Sequence, residues 1–463
     1  MKTQLLAGAA RVCINPAPDM YPIPGKITDF GLEPMQQEEP YDDMNCRALA
    51  VDNGTQRMLL LTFELAGAPE FPEYPQEVGA AAGVPADMVF IVGTHNHAAP
   101  RYQRNLDNPA VRAFAERYEK IVHDAGIAAA REAVAALRPA RWGYGESLSY
   151  INTNRNLKTP GGYWVEARNL AGYSDKTLSI LKFVDAGDGS LIAALLNHAT
   201  HATNLYMLKD IDHKAKTSGN FTGIACRFVE QHYGRGAVAL WTSGAAGDQN
   251  PFLSHGLQYE YPDGWTTQMQ YPDGTGYMEM EYIGRMHGAD CVRGIDGITH
   301  LRDALPLQHT VTTVELPARR CVDGWPPKDF AAVRSGGQGP RDYARVPENQ
   351  LPPPAAVPKF VPDEEPRRLL LHLLLAGDTA FLFANAELFS LLGRDIRDAS
   401  PYKHTVIITH HYGKKCNYIF DRTSKDVLLP MAYGGVVPGA ADERILAGEQ
   451  DLFDKALAQK DGE

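Results

Sequence analysis

Two apolar segments of the sequence run directly into histidines. Met88–Val92 continues into Gly93-Thr94-His95-Asn96-His97, and Leu191–Leu196 continues into Asn197-His198-Ala199-Thr200-His201. Side chains two residues apart on a strand point to the same face, so His95 and His97 can share one cation or divide into a ligand and a proton carrier. A single such pair also occurs in ordinary turns. Two strands that both end in histidines favour a metal site at the strand ends over core packing.

The remaining sequence alternates strand and helix patterns. The clearest helix is predicted from Asn108 to Leu137, where apolar residues recur at helical spacing and Pro139 follows the end. Further strands are predicted over Arg47–Val51, Met58–Phe63, Ser179–Val184, Ala237–Trp241, Leu369–Leu375, Ala380–Ala384 and Thr405–Thr409, and further helices over Phe221–His232 and Asp442–Gln459. This pattern predicts an α/β (mixed α+β) fold with central mixed β-sheets flanked by helices.

Two segments break this alternation. Residues 252–282 are aromatic and rich in glycine, and they contain the turn sequence Tyr-Pro-Asp-Gly twice, so we expect a long loop or hairpin that walls a substrate pocket. Residues 323–366 are rich in proline, glycine and charge, which predicts an exposed excursion.

Composition and charge narrow the class of partner. The chain has 463 residues, 44% hydrophobic and 22% charged, with a net charge of −11. An acidic protein is not attracted to nucleic acid or to an anionic membrane surface, so neither is expected as a partner. We find no signal peptide and no membrane-spanning run, and the six cysteines show no framework spacing. A cytoplasmic location is therefore expected.

A third strand end carries small residues. Ala237–Trp241 continues into Thr242-Ser243-Gly244-Ala245-Ala246-Gly247-Asp248-Gln249-Asn250-Pro251, where small side chains let the backbone approach a ligand. A glycine turn capped by Asp248 is the structural alternative.

In order and spacing, these segments resemble the neutral (non-lysosomal) ceramidase family. The matching motifs extend over nearly the whole chain and include Ala7–Val12, Cys46–Val51, Thr94–His97, Asn154–Asn156, Thr200–Thr203, Ser218–Gly223 and Gly244–Pro251. The resemblance implies a single catalytic domain over residues 1–463 that cleaves an amide bond and holds one Zn²⁺ per chain. Carried over residue by residue, it implies His95, His201, Glu387 and Tyr418 as the zinc ligands. Glu387 alternatively begins the helix that continues to Ile396, and Tyr418 is alternatively a packed aromatic.

The chain also departs from the family pattern. Asn250 stands where family members have a catalytic serine, and an amide cannot act as a serine-type nucleophile. Asn220 replaces an aspartate of the family's Gly-Asp-Phe-Pro-Gly stretch. We also expect neither an export signal nor the family's additional C-terminal domain. These departures favour a soluble substrate over membrane ceramide.

The predicted ligands suggest roles for their neighbours. Zinc with such ligands lowers the pKa of bound water to about 7 and polarises a carbonyl. His97 is placed to carry a proton to the leaving group, and Arg155 to donate to an oxyanion or a substrate carboxylate. Asp248 could accept a proton from the water or orient His97 or His201. Asn250 could donate to the substrate carbonyl.

The sequence therefore predicts a zinc-dependent hydrolase that cleaves the C–N bond of a small soluble acyl substrate with zinc-activated water. Hydrolysis of an ester or lactone at the same site is an alternative, and so is a metal-stabilised binding protein that has lost catalysis. An amidohydrolase-type barrel also begins with His-x-His after a strand, but it requires eight regular βα units that the sequence lacks. The motifs assign no role to His198, His410 or His411 and no oligomeric state.

Overall fold

A computed structural model describes residues 4–24, 36–100, 107–158, 164–205, 208–253, 257–260, 266–269, 273–321, 360–425, 435–439 and 441–460. Within these ranges the strands are β1 (Leu6–Cys13), β2 (Gln37–Pro40), β3 (Asn45–Asp52), β4 (Arg57–Phe63), β5 (Val89–Gly93), β6 (Arg138–Leu148), β7 (Asn152–Lys158), β8 (Trp164–Asn169), β9 (Thr177–Asp185), β10 (Leu191–His198), β11 (Ala215–Thr217), β12 (Val238–Ser243), β13 (Gln249–Pro251), β14 (Leu257–Glu260), β15 (Thr266–Met269), β16 (Leu307–Cys321), β17 (Phe360–Ala376), β18 (Thr379–Ala384), β19 (Glu387–Leu388), β20 (His404–Ile408), β21 (Tyr418–Ile419) and β22 (Gly435–Val436). The helices are α1 (Tyr74–Ala82), α2 (Pro109–Ala135), α3 (Asn220–Tyr233), α4 (Thr275–Gly297), α5 (Ser390–Ala399) and α6 (Asp442–Lys460).

Two sheets form the centre of the molecule. The larger has eight strands in the order β12-β10-β9-β6-β1-β3-β4-β5, and the smaller has five in the order β20-β18-β17-β16-β22. Most neighbouring strands are antiparallel, but β4 and β5, β10 and β12, and β18 and β20 pair in parallel. The predicted mixed α/β fold with central mixed sheets is therefore confirmed.

The sheets bury apolar side chains against each other and against helices. A single core cluster joins Leu49 and Leu60 of the larger sheet to Leu374 and Phe381 of the smaller sheet. Helix α2 packs on β1 and β3, α3 and α4 cover the other half of the larger sheet, and α6 packs on β16. This layering explains the near-continuous apolar runs of the central strands, because both of their faces are buried.

Helix α2 shows how the sequence sets an element boundary. The side chain of Asn108 accepts a hydrogen bond from the backbone N–H of Ala110 (2.9 Å), and Pro109 occupies the first helical position. The side chain of an N-cap asparagine accepts from one of the free N–H groups at the helix start. Proline at the first helical position has no N–H group that would need a partner. The helix ends at Ala135, two residues before the predicted end at Leu137.

The two irregular segments fall partly outside the described residues. Within 252–282, β14 and β15 form an antiparallel hairpin, and residues 275–282 begin α4, so the irregular part is shorter than predicted. Most of 323–366 lies outside the described residues, and residues 360–366 begin β17. No helix in the described ranges is long and apolar enough to cross a membrane.

Candidate metal centre

The predicted pair His95 and His97 follows the buried strand β5. His95 has a left-handed backbone (φ 58°), which costs a non-glycine residue about 1–3 kcal/mol and persists only where the surroundings fix it. Backbone bonds fix it here: Thr94 donates to the carbonyl of Phe63 (2.8 Å), and Asn96 donates to that of Leu65 (3.0 Å). The two imidazoles meet with their Nε2 atoms 3.1 Å apart.

His201 follows β10 and reaches the same place. Its backbone N–H and its Nδ1 both donate to the carbonyl of Gln249, at 3.0 and 3.1 Å. His97 donates from its backbone N–H to Ala202 (3.0 Å), which joins the two histidine loops. Asn220 donates from Nδ2 to the same carbonyl (2.8 Å), a bond that an ionised aspartate could not make. The predicted meeting of two strand ends is therefore observed.

Glu387 and Tyr418 lie opposite each other on two short parallel strands, β19 and β21. Helix α5 begins at Ser390, so Glu387 belongs to the strand before the helix and does not open it. Both side chains face the histidines. Glu387 Oε2 lies 3.2 Å from His95 Nε2 and 3.3 Å from His201 Nε2, and the Tyr418 hydroxyl lies 3.2 Å from His201 Nε2.

The donor atoms fit a divalent cation such as zinc. Because the Nδ1 atoms of His95 and His201 donate to the carbonyls of Ala66 (2.9 Å) and Gln249 (3.1 Å), each Nε2 presents a lone pair to the Glu387 carboxylate. Glu387 Oε2 is buried and receives no hydrogen bond within the described ranges. Burial and the charge of Arg155 lower the pKa of His201 to about 3, which keeps it neutral. Two neutral imidazoles and a carboxylate are typical zinc ligands.

Two neighbouring residues were not predicted as part of the site. Lys415 donates from Nζ to Glu387 Oε1 (2.5 Å), while its side chain is 41% exposed. Burial alone would raise the pKa of Glu387, but the charge of Lys415 outweighs it and holds this pKa well below its usual range. The ring of His410 stacks on that of His95, with 3.9 Å between the ring centroids. His410 can join His95 and Glu387 as a metal ligand. Similarly, His97 can join His95 and His201.

Arg155 reaches the site from β7 and is 4% exposed. Its Nε and Nη2 donate to the carbonyl of Gly247 (3.2 and 2.7 Å), and Nη2 also donates to the Tyr418 hydroxyl (3.2 Å). Nη1 donates to Asn250 Oδ1 (3.3 Å) and Glu166 Oε1 (3.4 Å). A guanidinium has five N–H groups, so each has a protein acceptor. Direct donation to substrate, as predicted from the sequence, would require one of these bonds to be exchanged.

Asp248 lies behind the site. Its carboxylate accepts hydrogen bonds from Asn154 Nδ2 (2.8 Å), from the Ser390 backbone N–H (2.8 Å) and from Ser390 Oγ (3.0 Å), and it bonds to neither His97 nor His201. Burial raises its pKa to about 6. Asp248 therefore ties the start of α5 to β7, and the role predicted for it at the histidines has no contact to support it.

Two of the histidines left open by the sequence lie outside the cluster of ligand atoms. His198 bonds to Thr200 Oγ1 (2.7 Å) and to the carbonyl of Ser149 (3.0 Å) in the core. His411 is buried against Phe90, and neither of its ring nitrogens has a hydrogen-bond partner among the described residues.

Comparison with known proteins supports the fold. No protein-family model matches the chain, and no curated protein matches it in sequence. The structure of neutral ceramidase from Pseudomonas aeruginosa is similar, with 19% identity, a TM-score of 0.67, and coverage of 99% of this chain and 75% of that one. A ceramidase complexed with C2 is also similar, with 18% identity, a TM-score of 0.69, and coverage of 99% and 76%. The chain therefore has a neutral-ceramidase-like fold.

Proposed function

We propose that this chain is a zinc-dependent hydrolase that cleaves the amide bond of a small acyl substrate. The observation that carries the proposal is the convergence of His95, His201 and Glu387, with Tyr418 beside them, at strand ends of a ceramidase-like fold. These four side chains would hold one zinc ion. When bound, the zinc supplies a polarised water and draws electrons from the substrate carbonyl.

Three further side chains, those of His97, Arg155 and Asn250, bear on how the reaction would proceed. His97 is only partly buried, and its Nε2 lies 3.1 Å from that of His95, so it can carry a proton to the departing amine. Arg155 donates a hydrogen bond to the Tyr418 hydroxyl and so holds this side chain in position. Asn250 cannot form a covalent acyl intermediate, so the attacking group is water.

A polar substrate is supported by the charged side chains around the site. Lys415 is 41% exposed, and the Glu166 side chain is 16% exposed, so ionic groups reach from the cluster toward solvent. The structural neighbours are ceramidases by name, but a bilayer lipid suits a net charge of −11 poorly. We therefore propose a soluble amide, and the cytoplasmic location stays a prediction.

A substrate panel tests this proposal. The zinc-loaded protein is assayed on short-chain N-acyl amides, their matching esters, lactones, and long-chain ceramide in detergent micelles. We expect soluble amides to be hydrolysed, and the Glu387→Gln variant to lose at least about 100-fold in kcat/KM. His232→Ala, at an exposed position of α3, is the matched control and should retain full activity.

The panel also separates the alternatives. Preference for esters or lactones would correct the substrate class and keep the site. Cleavage of ceramide alone would contradict the soluble substrate. Zinc-dependent thermal stabilisation with no turnover of any acyl compound would favour the binding-protein alternative.

A further inference from the structure

A second carboxylate, that of Glu166, contacts two of the predicted site residues. Its Oε1 accepts hydrogen bonds from Asn250 Nδ2 (3.1 Å) and from Arg155 Nη1 (3.4 Å). The three residues come from neighbouring strands of one small sheet, which has the order β13-β7-β8. The pairing of β7 with β8 shifts register between Asn154 and Asn156, so Arg155 lies at a bulge. Bulges next to active sites commonly redirect a side chain in this way.

These contacts fix the orientation of the Asn250 amide. Its Oδ1 accepts from Arg155 (3.3 Å), and its Nδ2 donates to Glu166. A serine hydroxyl would have to accept and donate through a single oxygen, whereas the amide uses a separate atom for each partner. Because Asn250 is 4% exposed, these bonds lie away from bulk water, where they are stronger.

Glu166 also balances a buried charge. Arg155 is 4% exposed, and the Glu166 carboxylate faces its guanidinium with Oε1 3.4 Å from Nη1. The same guanidinium donates to the Tyr418 hydroxyl, which in turn lies 3.2 Å from His201 Nε2. A continuous series of contacts therefore runs from Glu166 through Arg155 to the candidate ligand Tyr418.

We propose that Glu166 is a positioning residue, which acts through Arg155 and Asn250 to hold Tyr418 at the metal centre. This inference rests on the proposed function, because it requires Tyr418 to serve a bound metal. Without the carboxylate, the Asn250 amide loses the acceptor of its N–H, and the buried guanidinium loses a facing negative charge. Arg155 is then free to turn toward other acceptors, and Tyr418 loses its fixed partner.

The test uses the full-length variants Glu166→Ala and Glu166→Gln. Zinc affinity is measured by competition with a chelator, and kcat and KM are measured on the best substrate of the panel. For Glu166→Ala we expect zinc affinity and kcat each to fall about 10-fold to 100-fold, with KM changing less than about threefold. Glu166→Gln keeps an acceptor for Asn250 and should lose less than the alanine variant.

Two controls separate positioning from general stability. Asp378→Asn weakens another arginine–carboxylate pair, with Arg302 (2.7 Å), which is more exposed and contacts none of the candidate ligands among the described residues, so zinc affinity should stay unchanged. In an Asn250→Ala background, Glu166→Ala should lower zinc affinity and kcat by a smaller factor than it does alone, because the contact between Glu166 and Asn250 is already absent.

The outcomes distinguish this inference from the proposed function. A wild-type chain that binds no zinc contradicts the proposed function itself. A wild type that binds zinc and hydrolyses an amide, together with a Glu166→Ala variant of unchanged zinc affinity and kcat, overturns only the role of Glu166. If the effects of Glu166→Ala and Asn250→Ala are fully additive, Glu166 does not act through the Asn250 amide.

Discussion

Glu449 offers a quantitative test of the packing around the C-terminal helix. It lies on α6 with 1% exposure, and neither carboxylate oxygen has a hydrogen-bond partner in the described residues. Burial raises its pKa to about 9, from an ordinary value of 4.5. The folded chain therefore keeps Glu449 protonated at pH 7, where the unfolded chain has released the proton.

The sign of the effect follows from proton linkage. A group whose pKa is raised by folding leaves stability intact below its unfolded pKa and reduces stability as pH rises toward the folded pKa. At pH 7 the cost is about 2.5 pH units at 1.36 kcal/mol each, or roughly 3 kcal/mol. Glu449→Gln removes this cost, so its advantage over the wild type should grow by about 1.4 kcal/mol per pH unit between pH 5 and 9.

Urea unfolding at pH 5, 6, 7 and 8 measures this slope directly. The control is Glu443→Gln, an exposed position on the same helix, which should follow the wild type at every pH. If the difference between Glu449→Gln and the wild type does not change with pH, the side chain is solvated or paired, and the reasoning fails.

Three further predictions concern the strand ends, the nucleophile and the buried histidines. Gly93→Ala should weaken zinc binding and lower the Tm, because an added Cβ would lie 2.3 Å from the backbone of Gly67. The control is Gly67→Ala, which should match the wild type because its Cβ would have no atom within 4 Å. Hydrolysis should release the amine without a kinetic burst, since the amide of Asn250 cannot form an acyl-enzyme; a trapped acyl-enzyme would refute this. Burial, with the charges of His411 and His309, lowers the pKa of His372 to about 2, so the wild type loses stability as pH falls below the unfolded pKa of 6.5. His372→Leu has no such group and should lose less stability than the wild type between pH 6 and 4. Equal losses in urea unfolding would contradict this.

The sequence predicted the parts of the site that depend on local pattern. The apolar runs of β5 and β10 placed His95, His97 and His201 at two strand ends. The expected strand alternation does not extend to His95, because β5 ends at Gly93 and His95 has a left-handed backbone. Glu387 and Tyr418 came only from the resemblance to ceramidases, because two-residue strands leave almost no periodic signal.

Contacts that depend on strand register could not be predicted from one sequence. Glu166 reaches Asn250 because β7 carries a bulge and lies between β8 and β13. Lys415 reaches Glu387 because β19 and β21 pair in parallel. Both depend on pairings between segments distant in the chain, for which the local sequence gave no signal. The contacts of Asp248 could not be predicted for the same reason, since its carboxylate accepts a hydrogen bond from Ser390 of α5.

The central claim is that His95, His201, Glu387 and Tyr418 hold a zinc ion, and elemental analysis of the purified protein tests it most directly. We expect about one zinc per chain in the wild type and in His232→Ala, and almost none in the double variant His95→Ala, His201→Ala, because both groups in which His97 or His410 could share an ion also require His95. Equal zinc content in the wild type and the double variant would contradict the account.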